Sequence, residues 1–309
     1  MHKKSAHPAR KSSPGERKDV LFRVTEEVSL MEFLIAQLPS KSRDNIKSLL
    51  RNKQVWVGDQ IVSQFNHQLL PGQMVRISGS RSRAEKKFAE FTIVFEDDSL
   101  IVIDKSAGLL SIATGSDNTH NAFRMLSDYV KTQDPKNKIF IVHRLDRETS
   151  GLMVYAKNEE VKKLLQENWN TEETQKCYVA LVEGQLEKQE GTIVSYLFED
   201  KVFRVHSSQN PNKGLKAITN YRVLESNANF SLLQVELKTG RKNQIRVHLQ
   251  EIGHSIVGDK KYGAVSSPIR RLGLHAQQLR FVHPVSGEKL HFETKVPSVF
   301  HSLLKRKYK

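Results

Sequence analysis

The chain has 309 residues, 38% of them hydrophobic, which is enough for packed cores and long enough that division into two domains is the default expectation. Its 49 Lys and Arg against 34 Asp and Glu give a formal charge of +15, pointing to a polyanionic partner, nucleic acid before an anionic membrane surface. No apolar run approaches the roughly 20 residues that cross a bilayer and no signal-peptide core stands near the start, so no membrane partner and a cytoplasmic location are expected.

Residues 1–20 hold six Lys/Arg against two acidic residues, with Ser, Pro and Gly and almost nothing apolar. Such a segment cannot bury enough surface to offset its ordering entropy, and a disordered basic arm is expected. From 21 to 78 the pattern is that of a small folded domain. Leu30, Phe33, Leu34 and Leu38 fall at helical spacing and stop at Pro39. Ser42 then caps a second helix with Ile46, Leu49 and Leu50 on one face and Arg43, Lys47 and Arg51 on the other. Val55-Trp56-Val57 and Ile61-Val62 flank a hairpin-like turn, and Leu70-Pro71-Gly72-Gln73 leads into the strand Met74-Val75-Arg76-Ile77. This helix-helix-hairpin unit resembles the S4 RNA-binding domain, although Leu30-Met31-Glu32 stands where that family often has an arginine-leucine-aspartate start. The resemblance implies that Arg43, Lys47 and Arg51 meet RNA.

Polar residues at 79–89 read as a linker, and a larger domain is expected over 90–300. Two strands flank the acidic turn Glu96-Asp97-Asp98, and 121–132 reads as a helix with Phe123, Leu126 and Val130 on one side. The stretch Ile141-Val142-His143-Arg144-Leu145-Asp146-Arg147-Glu148-Thr149-Ser150-Gly151-Leu152 follows. A strand delivers a carboxylate flanked by two arginines to a turn of small residues, from which a second strand departs. Flanking cations favour the ionised carboxylate, as a nucleophile or base requires. Asp, Ser and Thr also cap turns, so the residues alone leave capping and catalysis open.

Val161, Leu164, Leu165 and Trp169 continue at helical spacing, with the tryptophan read as a core anchor, and Gln175–Val182 reads as a strand carrying Cys177 and Tyr178 on opposite faces. Residues 191–236 alternate short strands with turns. Leu237-Lys238-Thr239-Gly240-Arg241-Lys242-Asn243-Gln244-Ile245-Arg246-Val247-His248 is the next distinctive segment, followed by Gly253–Gly263 and the strand Leu274–Pro284, and 301–309 forms a basic tail. Cys177 is the only cysteine, which leaves no disulfide framework and fits a reducing compartment. Neither metal-ligand spacing nor a nucleotide-binding or nucleophile-elbow motif is present, so no metal and no cofactor are expected.

His143–Leu152 resembles the HRLDxxTSGL signature of the RluA/RluD-type pseudouridine synthases, and Leu237–His248 resembles their LxTGRxHQIRxH motif with Asn243 in place of histidine. Ser106 and Ser255 stand where the family commonly has proline. The likeness extends over about 21–297 and implies an α+β fold with a mixed, mostly antiparallel sheet. It implies Asp146 as the catalytic residue, Tyr178 beneath the target uracil, and Arg246 gripping both oxygens of Asp146, with Arg241 the alternative for that role or a phosphate contact. Arg144 is the candidate wedge for the space left by a flipped base, Arg147 a solvated neighbour, 253–263 a turn forming one wall of the cleft, and Leu274–Pro284 the strand that closes the sheet. The reaction implied is conversion of uridine to pseudouridine in structured RNA by a monomeric chain, with large-subunit ribosomal RNA expected ahead of transfer RNA. A catalytically silent RNA-binding factor and a base-releasing glycosidase are the rival readings.

Overall fold

The computed structural model describes residues 19–51, 54–58, 60–77, 86–113, 120–169 and 171–305. The chain divides into two compact units at Ala84/Glu85. The basic arm, except for its last two residues, most of the linker, the end of the tail and the side chain of Arg51 lie outside the described residues.

In the first unit, helices Leu30–Gln37 and Arg43–Arg51 pack over a four-stranded sheet built from Val20–Arg23, Met74–Ile77, Val55–Val57 and Gln60–Ile61. Each helix starts where its cap dictates: Ser29 Oγ accepts from the Glu32 amide at 3.4 Å, and Ser42 Oγ accepts from the Asn45 amide at 3.3 Å. Leu30, Leu34, Ile46 and Leu50 fill the core, leaving Arg43 and Lys47 exposed on the opposite helix face.

The second unit is organised by a 12-stranded sheet. Strand Ser150–Ala156 is buried along its whole length because both faces are covered. Met153 and Tyr155 enter one core with Ile101 and Ile103; Leu152, Val154 and Ala156 enter the other with Leu100 and Val102. Helix Ala122–Gln133 seals the first core through Ala122, Leu126 and Val130, and helix Glu159–Glu167 seals the second through Val161 and Leu165, with Trp169 beside them. On the other side of the unit, Gln175–Glu183 alternates Ala180 and Val182 toward helix Gln244–Glu251 with Val179 and Leu181 toward helix Ser298–Leu304.

Two expectations are corrected here, and one segment left unassigned is now placed. The strands over 190–237 are long: Glu190–Glu199, Leu215–Ser226 and Phe230–Leu237. The final expected strand, Leu274–Val282, lies inside the sheet, pairing antiparallel with Gln175–Glu183 and parallel with Ser150–Ala156. Its burial on both flanks follows from non-local pairing that no local pattern announces. The motif from Leu237 ends in helix Gln244–Glu251, which begins behind Asn243 in the left-handed conformation, φ 54°; asparagine tolerates that conformation better than most residues.

Ser150 pairs with His275 and Gly151 with Ala276, the one parallel pairing recorded among the described strands. Gly151 has φ +113°, and a Cβ there would lie 2.2 Å from the Ala276 carbonyl oxygen. Only glycine permits that approach.

Candidate active site

A cleft opens beside this parallel junction, lined by Arg144, Asp146, Thr149, Tyr178, Arg241, Asn243 and Arg246 among others. Asp146 arrives on the loop between Phe140–Ile141 and Ser150–Ala156. That loop is fixed from beneath. Leu145 is buried in the core, and Ser111 Oγ both accepts from its amide at 3.1 Å and donates to its carbonyl at 2.7 Å. The Thr149 amide donates to the Asp146 carbonyl at 3.1 Å, closing the turn.

A second anchor is Lys105, fully buried, whose ammonium donates to the carbonyls of Ser106 at 2.9 Å, Leu109 at 2.8 Å and Arg147 at 3.2 Å. Burial lowers its pKa to about 8, with the charges of Glu148 and Asp146 opposing the shift. Arg147 is therefore more than a solvated neighbour: its carbonyl also accepts from the Gly108 amide at 2.9 Å, and its Nε donates to the Gly108 carbonyl at 3.1 Å. Ser106, where the resemblance leads one to expect proline, donates its amide to Glu90 at 2.8 Å, a bond proline could not make.

Arg246 projects from the helix opposite. Its Nη1 donates to Asp146 Oδ2 at 3.0 Å, while Nε and Nη2 donate to Asp259 Oδ2 and Oδ1 at 2.6 and 2.7 Å. The expected two-oxygen grip on Asp146 is thus corrected: the fork closes on Asp259, and Asp146 receives one bond. The side chains of Asp259, Arg246 and Asp146 are 1%, 15% and 31% exposed, so accessibility rises toward the cleft. Burial opposes the guanidinium charge, but the two carboxylates outweigh it and raise its pKa. Segment 253–263 contributes none of the residues that line the cleft, where a wall was expected of it; what it supplies is the charged partner of Arg246. Asp259 reads as a turn residue from sequence, and it does accept from the Tyr262 amide at 3.3 Å; nothing local reveals its second task.

Asn243 joins the same assembly. Its Oδ1 accepts from Arg246 Nη1 at 3.2 Å and its Nδ2 donates to the Tyr262 hydroxyl at 2.9 Å. Tyr262 is buried, with Arg246 4.9 Å from its ring centroid. Ser255 Oγ donates to the Tyr262 carbonyl at 2.8 Å. The serine found in place of proline thus helps seat this ring.

Tyr178 stands at a register shift between Cys177 and Tyr178, opposite Ala276; a bulge of this kind re-aims a side chain. The ring is partly buried against the two cores flanking the junction. Burial, reinforced by the Asp146 carboxylate, pushes its phenol well above the ordinary value, so it is protonated at neutral pH. Cys177 is only half-buried, faces a groove with Gln175, Glu236 and Gln278, and has its thiol pKa raised by burial.

The remaining cations separate by position. Arg144 is exposed at the cleft and forms no ion pair or hydrogen bond recorded among the described residues. Arg241 does not reach Asp146; its Nε donates to the Lys216 carbonyl at 3.3 Å. His275 is buried between Ser150 at 2.8 Å and Thr294 at 2.9 Å, a packing role, and Arg271 donates to the same Ser150 hydroxyl at 2.7 Å. Arg271 carries no signal in the local pattern.

Residues 99–251 match the family of RNA pseudouridylate synthases. The chain is 31% identical over 262 residues to an uncharacterized RNA pseudouridine synthase of Bacillus subtilis, YhcT, covering 81% of this chain and 86% of that relative. With the ribosomal large subunit pseudouridine synthase D of Nitrosomonas europaea it shares 35% identity over 289 residues, covering 89% and 83%. The solved structure of human RNA pseudouridylate synthase domain containing 4 superposes with a TM-score of 0.57 at 26% identity, covering 68% of this chain and 91% of that one. The chain belongs to the RNA pseudouridine synthase family. It is an enzyme that acts on RNA, and its α+β fold with a large, mostly antiparallel sheet is the fold of that family. Among the described residues, no helix is long and apolar enough to cross a membrane.

Proposed function

We propose that this enzyme isomerises specific uridines of large-subunit ribosomal RNA in the cytoplasm, with Asp146 as its catalytic residue. The observation that carries the assignment of Asp146 is its placement: a carboxylate on a braced loop, one oxygen bonded to Arg246 and a tyrosine ring lining the same cleft. The reaction cleaves the N-glycosidic bond, turns the uracil in place and joins its carbon to the ribose; that carbon loses its proton and the freed ring nitrogen takes one up, so the product is an isomer of the substrate. It is redox-neutral. Asp146 acts on the ribose, Arg246 orients it and holds its negative charge, and Tyr178 supports the uracil. Because the phenol is protonated, it can take up the carbon-bound proton only by handing on its own.

A uridine within a stacked helix must leave the stack to reach Asp146. The exposed Arg144 fills the space it vacates, and Arg241 at the rim meets phosphate. The first unit acts as an S4-like RNA-binding domain through Arg43, Lys47 and Arg51 of its second helix, while its first helix departs from that pattern in starting with Leu30-Met31-Glu32. The names of relatives such as that of Nitrosomonas europaea support a ribosomal target over transfer RNA.

The decisive experiment is single-nucleotide mapping of pseudouridine in a strain lacking the gene, complemented with wild type or Asp146→Asn. Sites in large-subunit RNA should vanish on deletion and return with wild type only. Sites lost from transfer RNA alone would reassign the substrate; sites restored by Asp146→Asn would remove the catalytic assignment.

A further inference from the structure

Between strands Glu190–Glu199 and Val205–Ser208 the chain turns over Asp200–Arg204, and this tip holds a strained aromatic residue. Phe203 has φ 60°, in the left-handed region that bulky side chains disfavour and glycine adopts freely. Its side chain does not repay the strain by joining a core: Phe203 is 70% exposed and its neighbour Val202 77%. Strain of this kind persists only where the surroundings over-determine it, and it concentrates at functional positions. The surroundings here do so. Asp200 Oδ1 accepts from the amides of Val202 at 3.0 Å and Arg204 at 2.9 Å, the Phe203 amide donates to the Asp200 carbonyl at 3.1 Å, and Lys261 Nζ donates to the Phe203 carbonyl at 3.0 Å. The ring is presented on a rigid mount.

Its neighbours are cationic. Lys242 Nζ lies 5.7 Å from the ring centroid, and Lys201, Arg204 and Lys261 are exposed around the turn. The two nearby acids are engaged, Glu199 with Lys242 and Asp200 with His206. The tip is also tied to the cleft: the Val205 amide donates to the Tyr262 hydroxyl at 3.2 Å, the same hydroxyl that Asn243 holds beside Arg246. Lys242 lies between Arg241 and Asn243, both of which line the cleft.

An exposed aromatic face among cations is how proteins bind unpaired nucleotides, the ring stacking on a base while the charges follow the backbone. Two apolar side chains among lysine and arginine suit that partner better than the broad apolar patch that marks a protein interface. We propose that Phe203 is a stacking platform for an unpaired base flanking the target uridine, with Lys242 and Lys261 on its phosphates. This rests on the reading of the cleft given under Proposed function.

The test uses the full-length enzyme and a single-stranded RNA carrying one uridine flanked by fluorescent purine analogues whose emission falls on stacking. Wild type and Phe203→Trp should quench the probe. Phe203→Ala and Phe203→Gly should not, and should bind roughly 5- to 150-fold more weakly, the range expected for loss of one base–aromatic stack. The Tm of Phe203→Gly should equal or exceed that of wild type, because glycine relieves the strain, so weak binding by this variant cannot be blamed on unfolding. Quenching and affinity unchanged in Phe203→Ala would overturn the proposal. So would Phe203→Leu quenching and binding as well as Phe203→Trp, which would show that ring stacking is not what the side chain supplies. Quenching by wild type in an enzyme that converts no uridine in RNA would sink the functional reading and leave the platform standing; conversion without quenching would do the reverse.

Discussion

Arg246 closes both arms of its fork on Asp259 and gives Asp146 a single hydrogen bond of 3.0 Å. The buried carboxylate fixes the arginine; the accessible one borrows it. Among the described residues no donor is recorded at Asp146 Oδ1, so under the proposed mechanism that oxygen can meet a ribose without first surrendering a partner.

The two carboxylates should therefore respond differently to the same substitution. Asp259→Asn leaves a buried guanidinium without its paired charge and should cost about 3–5 kcal/mol of stability, as breaking buried pairs does. Asp146→Asn should change stability by less than about 1 kcal/mol, bind RNA as wild type does, and lower turnover by roughly 10⁴-fold or more. Urea denaturation with parallel conversion assays checks both, and equal stability losses in the two variants would contradict the division of labour.

Tyr178→Phe keeps the ring and removes the hydroxyl, whereas Tyr178→Ala removes the wall. If the ring supports the base, Tyr178→Ala should weaken RNA binding by about 1–3 kcal/mol while Tyr178→Phe binds normally. A fall in single-turnover conversion confined to Tyr178→Phe would then isolate the hydroxyl's part in proton transfer.

Asp146 stood out in the sequence because a carboxylate between arginines at a strand-end turn is chemically conspicuous, and resemblance to a family placed Arg246 and Tyr178 with it. Asp259 did not stand out. An aspartate beside glycine in a turn is fully explained by backbone capping, and its ion pair becomes visible only when residue 246 is brought across. Lys105 and Ser111 were hidden for a related reason: their partners are backbone carbonyls and amides, which carry no residue identity. The two short helices of the first unit and the alternation of the central strands were legible because caps and periodicity are local, whereas the interior position of Leu274–Val282 depends on pairing with strands about 100 or more residues away.

Gly151→Ala should destabilise the second unit by about 3 kcal/mol or more, combining positive-φ strain with a clash against Ala276. Activity at low temperature, measured while the variant is still folded, should fall as well, because the clash pushes the Asp146 loop away from Arg246. Full activity with lowered Tm would show that the junction supports the fold alone.

Three histidines, His248 and His275 buried and His143 partly buried under Trp169, make the second unit sensitive to acid. Burial lowers His143 to about 3 and His248 and His275 to about 4, against 6.5 when unfolded. The folded state holds them neutral, so the unfolded state binds more protons once pH falls below about 6.5, and stability declines from there through the folded-state values. Three such groups together set a slope of up to about 4 kcal/mol per pH unit. His248→Gln should remove roughly one third of that slope in denaturation curves taken between about pH 6.5 and pH 4, and a slope unchanged by the variant would contradict the assignment.

The parallel junction has one more consequence. Asp146 comes from the sequence-contiguous first part of the large sheet, and Tyr178, Arg246 and Asp259 from the part that follows. Asp146 and Arg246 are 100 positions apart and meet across a seam of two residue pairs, stitched from one side by Leu279, Phe281 and Phe292 in the core beneath Val154. Neither part alone holds a working site. A chain in which the two parts have not paired carries Asp146 without the arginine that bonds it, so under the proposed mechanism the site is assembled only by this long-range pairing.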